Sequence, residues 1–490
     1  MSTPQERLAE LFSPSRLGEL AHRLADLLVE HFRAVQARQT PVLNWASPED
    51  NVKRAAGWLD DPGPPSPERF ESLVREMLSR GHNLHHPRYI GHQVPASSPL
   101  AALFDFVGSV TNQVMAIYEM GPWASGVERA LVERLGARFG LPAGTFSGLV
   151  THGGSLANLT ALLTARNVSL PGAWEGGVAR PGRPPLLLVQ ADAHYGVARA
   201  AGILGLGTQQ IVRVPLDSRR RMDPAALDQL LTNFRTLGQP VVAVSACACA
   251  TPTGAFDPLP AIADVCERHR VWLHVDAAHG GGAIFSPRYR HLLAGLERAD
   301  SFICDAHKLL FVPALCAFVF YRQAEHRFEA FRQEAPYLFD PSAPGEVAQY
   351  DSGLVTLECT KRAAAYGLWG LWALFGPEVF ADLVETTFDL ARRFWERLQD
   401  TDDFLPLHEP ECNIVCFRYV PARLRGAPLP EVGRFNQQIR RRLMESGRYY
   451  IVQTTLDGAA ALRTTIMNPL TTDADLAELL EAIREVGERF

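Results

Sequence analysis

The sequence predicts an α/β protein built on a largely parallel β-sheet, and three observations predict it. Short apolar runs recur between about residues 148 and 322, segments of helical periodicity separate them, and several runs close on glycine or on a single acidic residue. The runs fall at 186–189, 211–214, 241–245, 272–275, 302–304 and 317–321. Between them, Met222-Asp223-Pro224 offers an N-cap with proline at the first helical position, and 259–269 repeats its apolar residues at helical spacing.

Before this region, residues 1 to about 80 read as helices with polar connectors. Leu20, Ala21, Leu24, Leu27 and Leu28 share one helical face, and Asp61-Pro62-Gly63-Pro64-Pro65 interrupts the pattern. After it, the polar, proline-containing stretch 323–353 is too long for an ordinary connection and reads as a functional loop. A long helical stretch over about 360–398, a strand at 413–418 and a terminal helix at 473–489 complete the chain. The expected division is an N-terminal helical segment, 1–110, a large domain, 111–380, and a small C-terminal α+β domain, 381–490.

A chain of 490 residues is long enough for two or three domains of about 100–200 residues each, and 47% hydrophobic residues can fill their cores. The net charge of -6 comes from interleaved acidic and basic residues without a polybasic arm, which argues against nucleic acid or an anionic membrane as the partner. Glu6, Arg7 and Glu10 interrupt the N-terminus where a signal peptide needs an apolar run, and no stretch reaches the roughly 18 apolar residues of a membrane span. A cytoplasmic small-molecule enzyme is expected. The eight cysteines, Cys247, Cys249, Cys266, Cys304, Cys316, Cys359, Cys412 and Cys416, show no paired CxxC spacing, so they are expected to be buried reduced thiols rather than a metal site.

In an open parallel sheet ligands bind beyond the carboxyl ends of the strands, so the residues that follow the apolar runs carry the chemical information. At 149–158, Leu-Val-Thr-His-Gly-Gly-Ser-Leu-Ala-Asn passes from strand to helix through Gly153, Gly154 and Ser155. Glycines let backbone amides approach an anion, and the new helix offers free N–H groups, so the segment is either a phosphate cradle or an ordinary strand-to-helix turn. Asp276 ends the run Trp272-Leu273-His274-Val275, where a carboxylate can cap a turn or pair with a protonated ring nitrogen. His274, inside the run, reads as a satisfied core histidine. Lys308 closes Cys304-Asp305-Ala306-His307-Lys308 and precedes apolar Leu309-Leu310-Phe311. Desolvation there is expected to lower its pKa, as a Schiff-base lysine requires. His194, in Asp192-Ala193-His194-Tyr195, is either structural or a face for a planar ligand.

In the order Gly153-Gly154-Ser155, His194, Asp276, His307-Lys308, these segments resemble the group II pyridoxal-phosphate decarboxylases, which include the glutamate, cysteine sulfinate, aromatic amino acid and 2,4-diaminobutyrate decarboxylases. The likeness runs from His86-Pro87-Arg88-Tyr89 to Arg463-Thr464-Thr465-Ile466-Met467-Asn468-Pro469. It implies fold type I, pyridoxal 5'-phosphate as cofactor, and a homodimer with the N-terminal helices at its interface. It also implies roles by position. Gly153, Gly154 and Ser155 hold the phosphate with His307 nearby, His194 stacks on the ring and Ala278 packs on its other face. Asp276 pairs with the ring nitrogen, Lys308 carries the cofactor, Thr251 lies at the active site, and Tyr337 is a loop tyrosine that returns a proton to Cα.

Two departures stand out. Many members have Asn-Pro-His-Lys where this chain has Asp305-Ala306-His307-Lys308, and Cys247, Cys249 and Ala250 replace more usual residues before Thr251. Substrate contacts are expected from Tyr89, His92, Tyr118 with Glu119, and Arg463. His92 and the aspartate of the lysine motif look like the diaminobutyrate enzymes, whereas Tyr118-Glu119 and Tyr337-Leu338-Phe339 look like the glutamate and cysteine sulfinate enzymes. The reading favours decarboxylation of L-2,4-diaminobutyrate. Its alternatives are an acidic or aromatic L-amino acid, and, as another class, an aminotransferase or carbon–sulfur lyase.

Overall fold

The computed structural model describes residues 3–179, 181–331, 339 and 345–490. The chain divides into two compact units, one formed by Gln93–Thr401 with Pro406–Phe417, the other by Met1–His92, Asp402–Leu405 and Arg418–Phe490.

The larger unit is organised by a seven-stranded sheet. Its strands are β1 (Ser147–Thr151), β2 (Leu186–Gln190), β3 (Ile211–Val214), β4 (Val241–Cys247), β5 (Trp272–Asp276), β6 (Ser301–Asp305) and β7 (Ala317–Tyr321). In space they run β1-β7-β6-β5-β4-β2-β3. β7 is antiparallel to both β1 and β6, and the remaining pairs are parallel. The carboxyl ends of β1, β2, β4, β5 and β6 therefore share one edge, which is where the polar residues of the sequence motifs emerge.

The strands read as apolar runs because both faces are covered: every residue of β1, β2, β5, β6 and β7 is buried. The helix Gly154–Ser169 lies across the sheet, burying Ala157, Ala161, Leu162 and Leu163. Asp223 caps the helix Pro224–Thr236 by accepting from the backbone N–H of Ala225 and Ala226. A buried ion pair holds β1 to the helix Pro122–Arg138: Lys361 Nζ lies 2.8 Å from each Glu128 oxygen and donates to the Val150 carbonyl, while the Val150 N–H donates to Glu128 Oε1. Every charge there has its partner, the condition under which burial of ions is tolerated. The helical stretch expected over 360–398 is two helices, Tyr366–Phe375 and Glu378–Gln399. Gly376, at φ +76°, followed by Pro377, breaks the continuity.

In the smaller unit, four helices, Pro4–Leu11, Pro14–Gln36, Pro48–Asp60 and Pro67–Arg80, start the same way. Thr3, Ser13, Ser47 and Ser66 each accept a backbone N–H of the first turn and are each followed by proline. Each such cap stabilises its helix by about 1 kcal/mol. The C-terminal strands are β8 (Phe404–Pro406), β9 (Ile414–Tyr419), β10 (Val452–Leu456) and β11 (Ala459–Thr465), of which β10, β11 and the parts of β8 and β9 at 404–405 and 418–419 fall in this unit. β10 and β11 form an antiparallel hairpin, and the helix Asp473–Gly487 ends the fold.

Seven of the cysteines are buried free thiols, and Cys359 is exposed, against the expectation for the set. Among the described residues no helix is long and apolar enough to cross a membrane.

Candidate active site

A cavity of about 340 Å³ opens at the shared strand edge. It is lined by His152, Gly153, Gly154, Ser155, Asn158, His194, Cys249, Thr251, Asp276, Ala278, His279, Asp305, His307, Lys308 and Leu315. The structure thus brings together all nine residues assigned to the cofactor from the sequence.

One wall is the turn from β1 into the helix Gly154–Ser169. Gly153 sits at φ +106°, which an L side chain rarely adopts. At Gly154 a Cβ would lie 2.7 Å from Asp305 Oδ2, so only glycine lets the turn approach the end of β6. The helix that follows directs its free N–H groups, near Ser155, at the cavity.

The base of the cavity is Asp276, at the end of β5. Its Oδ1 accepts the Ala278 N–H at 3.1 Å and its Oδ2 accepts Asn158 Nδ2 at 2.9 Å. With its amide committed to Asp276, Asn158 presents Oδ1 to His274 Nε2 at 2.8 Å, so that nitrogen carries the proton. His274 Nδ1 then accepts the hydroxyl of Ser301 at 2.9 Å, and Ser301 Oγ in turn accepts Trp272 Nε1 at 2.9 Å. Burial holds His274 at about 4, which keeps the ring neutral and this order of donors fixed. Four successive donors, from Trp272 through Ser301, His274 and Asn158, point toward the Asp276 carboxylate. His274 is indeed a satisfied core histidine, and it also belongs to this relay.

Lys308 follows β6 and leaves 22% of its side-chain surface open; its Nζ lies 3.2 Å from Asp305 Oδ2. Burial pulls the lysine pKa down, but Asp305 and then Asp276 push it up, and the net direction is above the ordinary value. The expected lowering by desolvation is therefore overturned, because the sequence gives no sign that Asp305 folds back onto the lysine three residues later. Asp305 itself is raised by burial, against the pull of Lys308 and His307. Its Oδ1 is buried and has no hydrogen-bond partner among the described residues.

Histidines make up much of the remaining lining. His194 caps the helix Tyr195–Ile203 by accepting the Gly196 N–H, and burial lowers its pKa. His307 Nδ1 is held by the Cys316 backbone, 2.8 Å from the carbonyl and 3.2 Å from the N–H. His152 Nδ1 pairs with Glu358 at 2.6 Å.

The expected substrate residues are not among those that line this cavity. Tyr118, in the larger unit, is not among the residues lining the cavity; its N–H donates to Asp351. Tyr89, His92 and Arg463 belong to the smaller unit. There Tyr89 is buried and stacked on Tyr450 at 5.5 Å, and burial, with Arg463 and Arg440, lowers the pKa of His92. Tyr337 lies outside the described residues. Sequence reasoning missed Asn158, His152, Cys249, His279 and Asp305 as cavity residues. Asn158 could have been found, because it lies one helical turn beyond Gly154.

Residues 62–420 match the pyridoxal-dependent decarboxylase conserved domain. Among solved structures, mouse CSAD is 28% identical, with 98% of this chain and 100% of that chain covered and a TM-score of 0.90. TDC from Oryza sativa, with PLP and tryptamine, is 23% identical over 100% of this chain and 99% of its own, with a TM-score of 0.86. The glutamate decarboxylase domain of diaminobutyrate-pyruvate transaminase and L-2,4-diaminobutyrate decarboxylase from Vibrio parahaemolyticus is 23% identical, covered over 100% of both chains, with a TM-score of 0.86. The cofactor is pyridoxal 5'-phosphate.

The cavity fits that group. It offers an amine, a carboxylate braced from behind by hydrogen-bond donors, and a helix N-terminus with glycines where an added Cβ would be strained or would collide. From fold, cavity and domain match together, this chain belongs to the pyridoxal-dependent decarboxylases and is a fold type I amino acid decarboxylase.

Proposed function

We propose that the chain removes the α-carboxyl group of L-2,4-diaminobutyrate, giving the diamine and carbon dioxide, and that the cavity around Lys308 is where it does so. Pyridoxal phosphate supplies an aldehyde that condenses with amines and a ring that draws off the electron pair of the broken bond. Lys308 Nζ is the amine that carries the cofactor before substrate arrives. The backbone of Gly153 and Gly154, the Ser155 hydroxyl and His307 hold the phosphate, helped by the positive end of the helix dipole. His194 and Ala278 would flank the ring, and Thr251 would contribute to the same cavity.

Asp276 would pair with the protonated ring nitrogen, a role that suits a carboxylate fixed in position by the Asn158 amide and the Ala278 N–H. Tyr337 returns a proton to Cα of the product. A decarboxylase needs this last step, whereas an aminotransferase or lyase has no use for it.

The single observation that carries the substrate reading is the charge of the cavity. Asp305, the aspartate of the lysine motif, lines it with a buried carboxylate oxygen, Oδ1, that has no hydrogen-bond partner among the described residues. This favours a side chain bearing an ammonium over an acidic one. His92 supports the same reading, and Tyr89, Tyr118 and Arg463 are the further substrate contacts proposed.

A homodimer is part of the proposal. Leu103, Val107, Trp123 and Leu374 are exposed on three helices that meet around Trp369, an apolar surface of the kind a second copy covers. The experiment is a panel of L-amino acids assayed for carbon dioxide and amine. Fastest turnover of diaminobutyrate supports the reading; turnover confined to glutamate, cysteine sulfinate or an aromatic amino acid replaces it.

A further inference from the structure

Cys249, His279 and Cys412 are far apart in the sequence and converge in the larger unit. Cys249 follows the end of β4, His279 follows the end of β5, and Cys412 precedes β9. All three are buried, and their candidate ligand atoms lie within 4.8 Å of one another. The two sulfurs are 3.9 Å apart. A tetrahedral zinc ion with Zn–S bonds of about 2.3 Å sets its sulfurs about 3.8 Å apart. A disulfide would need about 2.05 Å. The spacing rules out a disulfide and matches that of two thiolates on one cation.

His279 completes the set. Its Nε2 lies 2.8 Å from Asn413 Oδ1, and donation to that oxygen leaves Nδ1 as the basic nitrogen. An imidazole oriented by a hydrogen bond on its far nitrogen is the usual form of a metal-ligating histidine. Charge balance agrees as well. Two thiolates, one neutral imidazole and a dication sum to zero, so the bound site adds no net charge to a buried region. The cluster also has ways in, since Cys249 and His279 line the cavity at Lys308 and Cys412 lines a second cavity of about 470 Å³.

We propose that Cys249, His279 and Cys412 form a binding site for a thiophilic divalent cation, Zn²⁺ above all, with a fourth position left for water or a backbone carbonyl. The ion would tie the loop before Thr251 to the segment leading into β9 and so brace one wall of the cavity. Binding displaces two thiol protons per cation, and affinity therefore rises with pH.

The test is titration of the chelator-treated holoenzyme with Cd²⁺, a spectroscopic substitute for Zn²⁺. The expected result is one equivalent per chain, thiolate-to-cadmium charge-transfer absorption, release of about two protons per cation at neutral pH and a raised Tm. Cys249→Ser and Cys412→Ser should each abolish stoichiometric uptake, His279→Gln should weaken it at least tenfold, and Cys359→Ser, at the exposed thiol, should leave it intact. Absence of uptake, uptake that survives Cys412→Ser, or uptake lost with Cys359→Ser would overturn the proposal. If the serine variants do not fold, the ¹¹³Cd chemical shift of the unaltered protein decides: ligation by two sulfurs and a nitrogen supports the site, and ligation by oxygen alone refutes it.

Discussion

Asn158 Nδ2 donates to Asp276 Oδ2 across 2.9 Å, and the same amide accepts from His274 through its oxygen. One side chain therefore sets both the position of the carboxylate and the tautomer of the histidine behind it. Asn158→Ala removes a hydrogen bond to a charged group, worth about 1.5–3 kcal/mol. If Asp276 acts on the ring nitrogen, kcat should fall roughly 10–100-fold, in line with that energy, while KM changes little. Steady-state kinetics at equal cofactor loading check this, and Asp276→Asn should be more severe still. Near-normal turnover in both variants would make Asp276 a structural carboxylate.

His274 gives the site a pH signature. The folded chain holds its pKa at about 4, below the ordinary 6.5. Between those values the unfolded chain takes up a proton that the folded chain refuses, so stability is full above about pH 6.5 and falls as the pH drops. At pH 4 this loss is on the order of 3 kcal/mol. His82 and His86, also held at about 4 by burial, act in the same direction. Denaturant unfolding from pH 7 to 4.5 should give a shallower decline for His274→Gln than for the parent; equal slopes would contradict the assignment.

Asp305 stands where many relatives of the decarboxylase family carry asparagine, and it lies both beside Lys308 and against Gly154. In Asp305→Asn the lysine loses the carboxylate that most strongly raises its pKa. More Lys308 is then uncharged at a given pH, so recombination of the cofactor-free protein with pyridoxal phosphate should reach its full rate at lower pH. Removal of a buried negative charge near the phosphate cradle should also keep cofactor retention equal or improve it. Stopped-flow absorbance across pH and exhaustive dialysis measure the two effects. A tenfold weaker retention would show that Asp305 is itself needed to hold the cofactor.

Much of this was legible in the sequence, for a physical reason. Strand ends of a buried parallel sheet are written as apolar runs closed by a polar residue, so Asp276, Lys308 and the glycines of 153–154 are placed at the carboxyl edge by the sequence alone. The Ser-Pro and Thr-Pro pairs at 13–14, 47–48, 66–67 and 3–4 likewise mark helix starts in plain text. What the sequence concealed depends on contacts between distant segments. The Asn158–His274 link joins a helix to a strand, the Lys308 pKa depends on how Asp305 folds back, and the cluster of Cys249, His279 and Cys412 has no local spacing to betray it. The break at Gly376-Pro377 is written in the sequence as a glycine followed by a proline between two stretches of apolar periodicity.

Tyr337→Phe tests the proton return at Cα. The variant should keep its cofactor and still release carbon dioxide, while product shifts from amine toward aldehyde and ammonia. A tyrosine that only packs would lower stability, and one that only contacts substrate would raise KM. Mass spectrometry of the products separates these outcomes. Clean amine at an undiminished rate would assign the proton to another group.

The most direct test concerns Lys308. The holoenzyme is reduced with borohydride, digested and sequenced by mass spectrometry. The account predicts a single pyridoxyl-phosphate label, on Lys308, and a Lys308→Ala variant that takes no label and has no decarboxylase activity. A label on Lys53 or Lys361, the other lysines of the chain, would contradict the account at its centre.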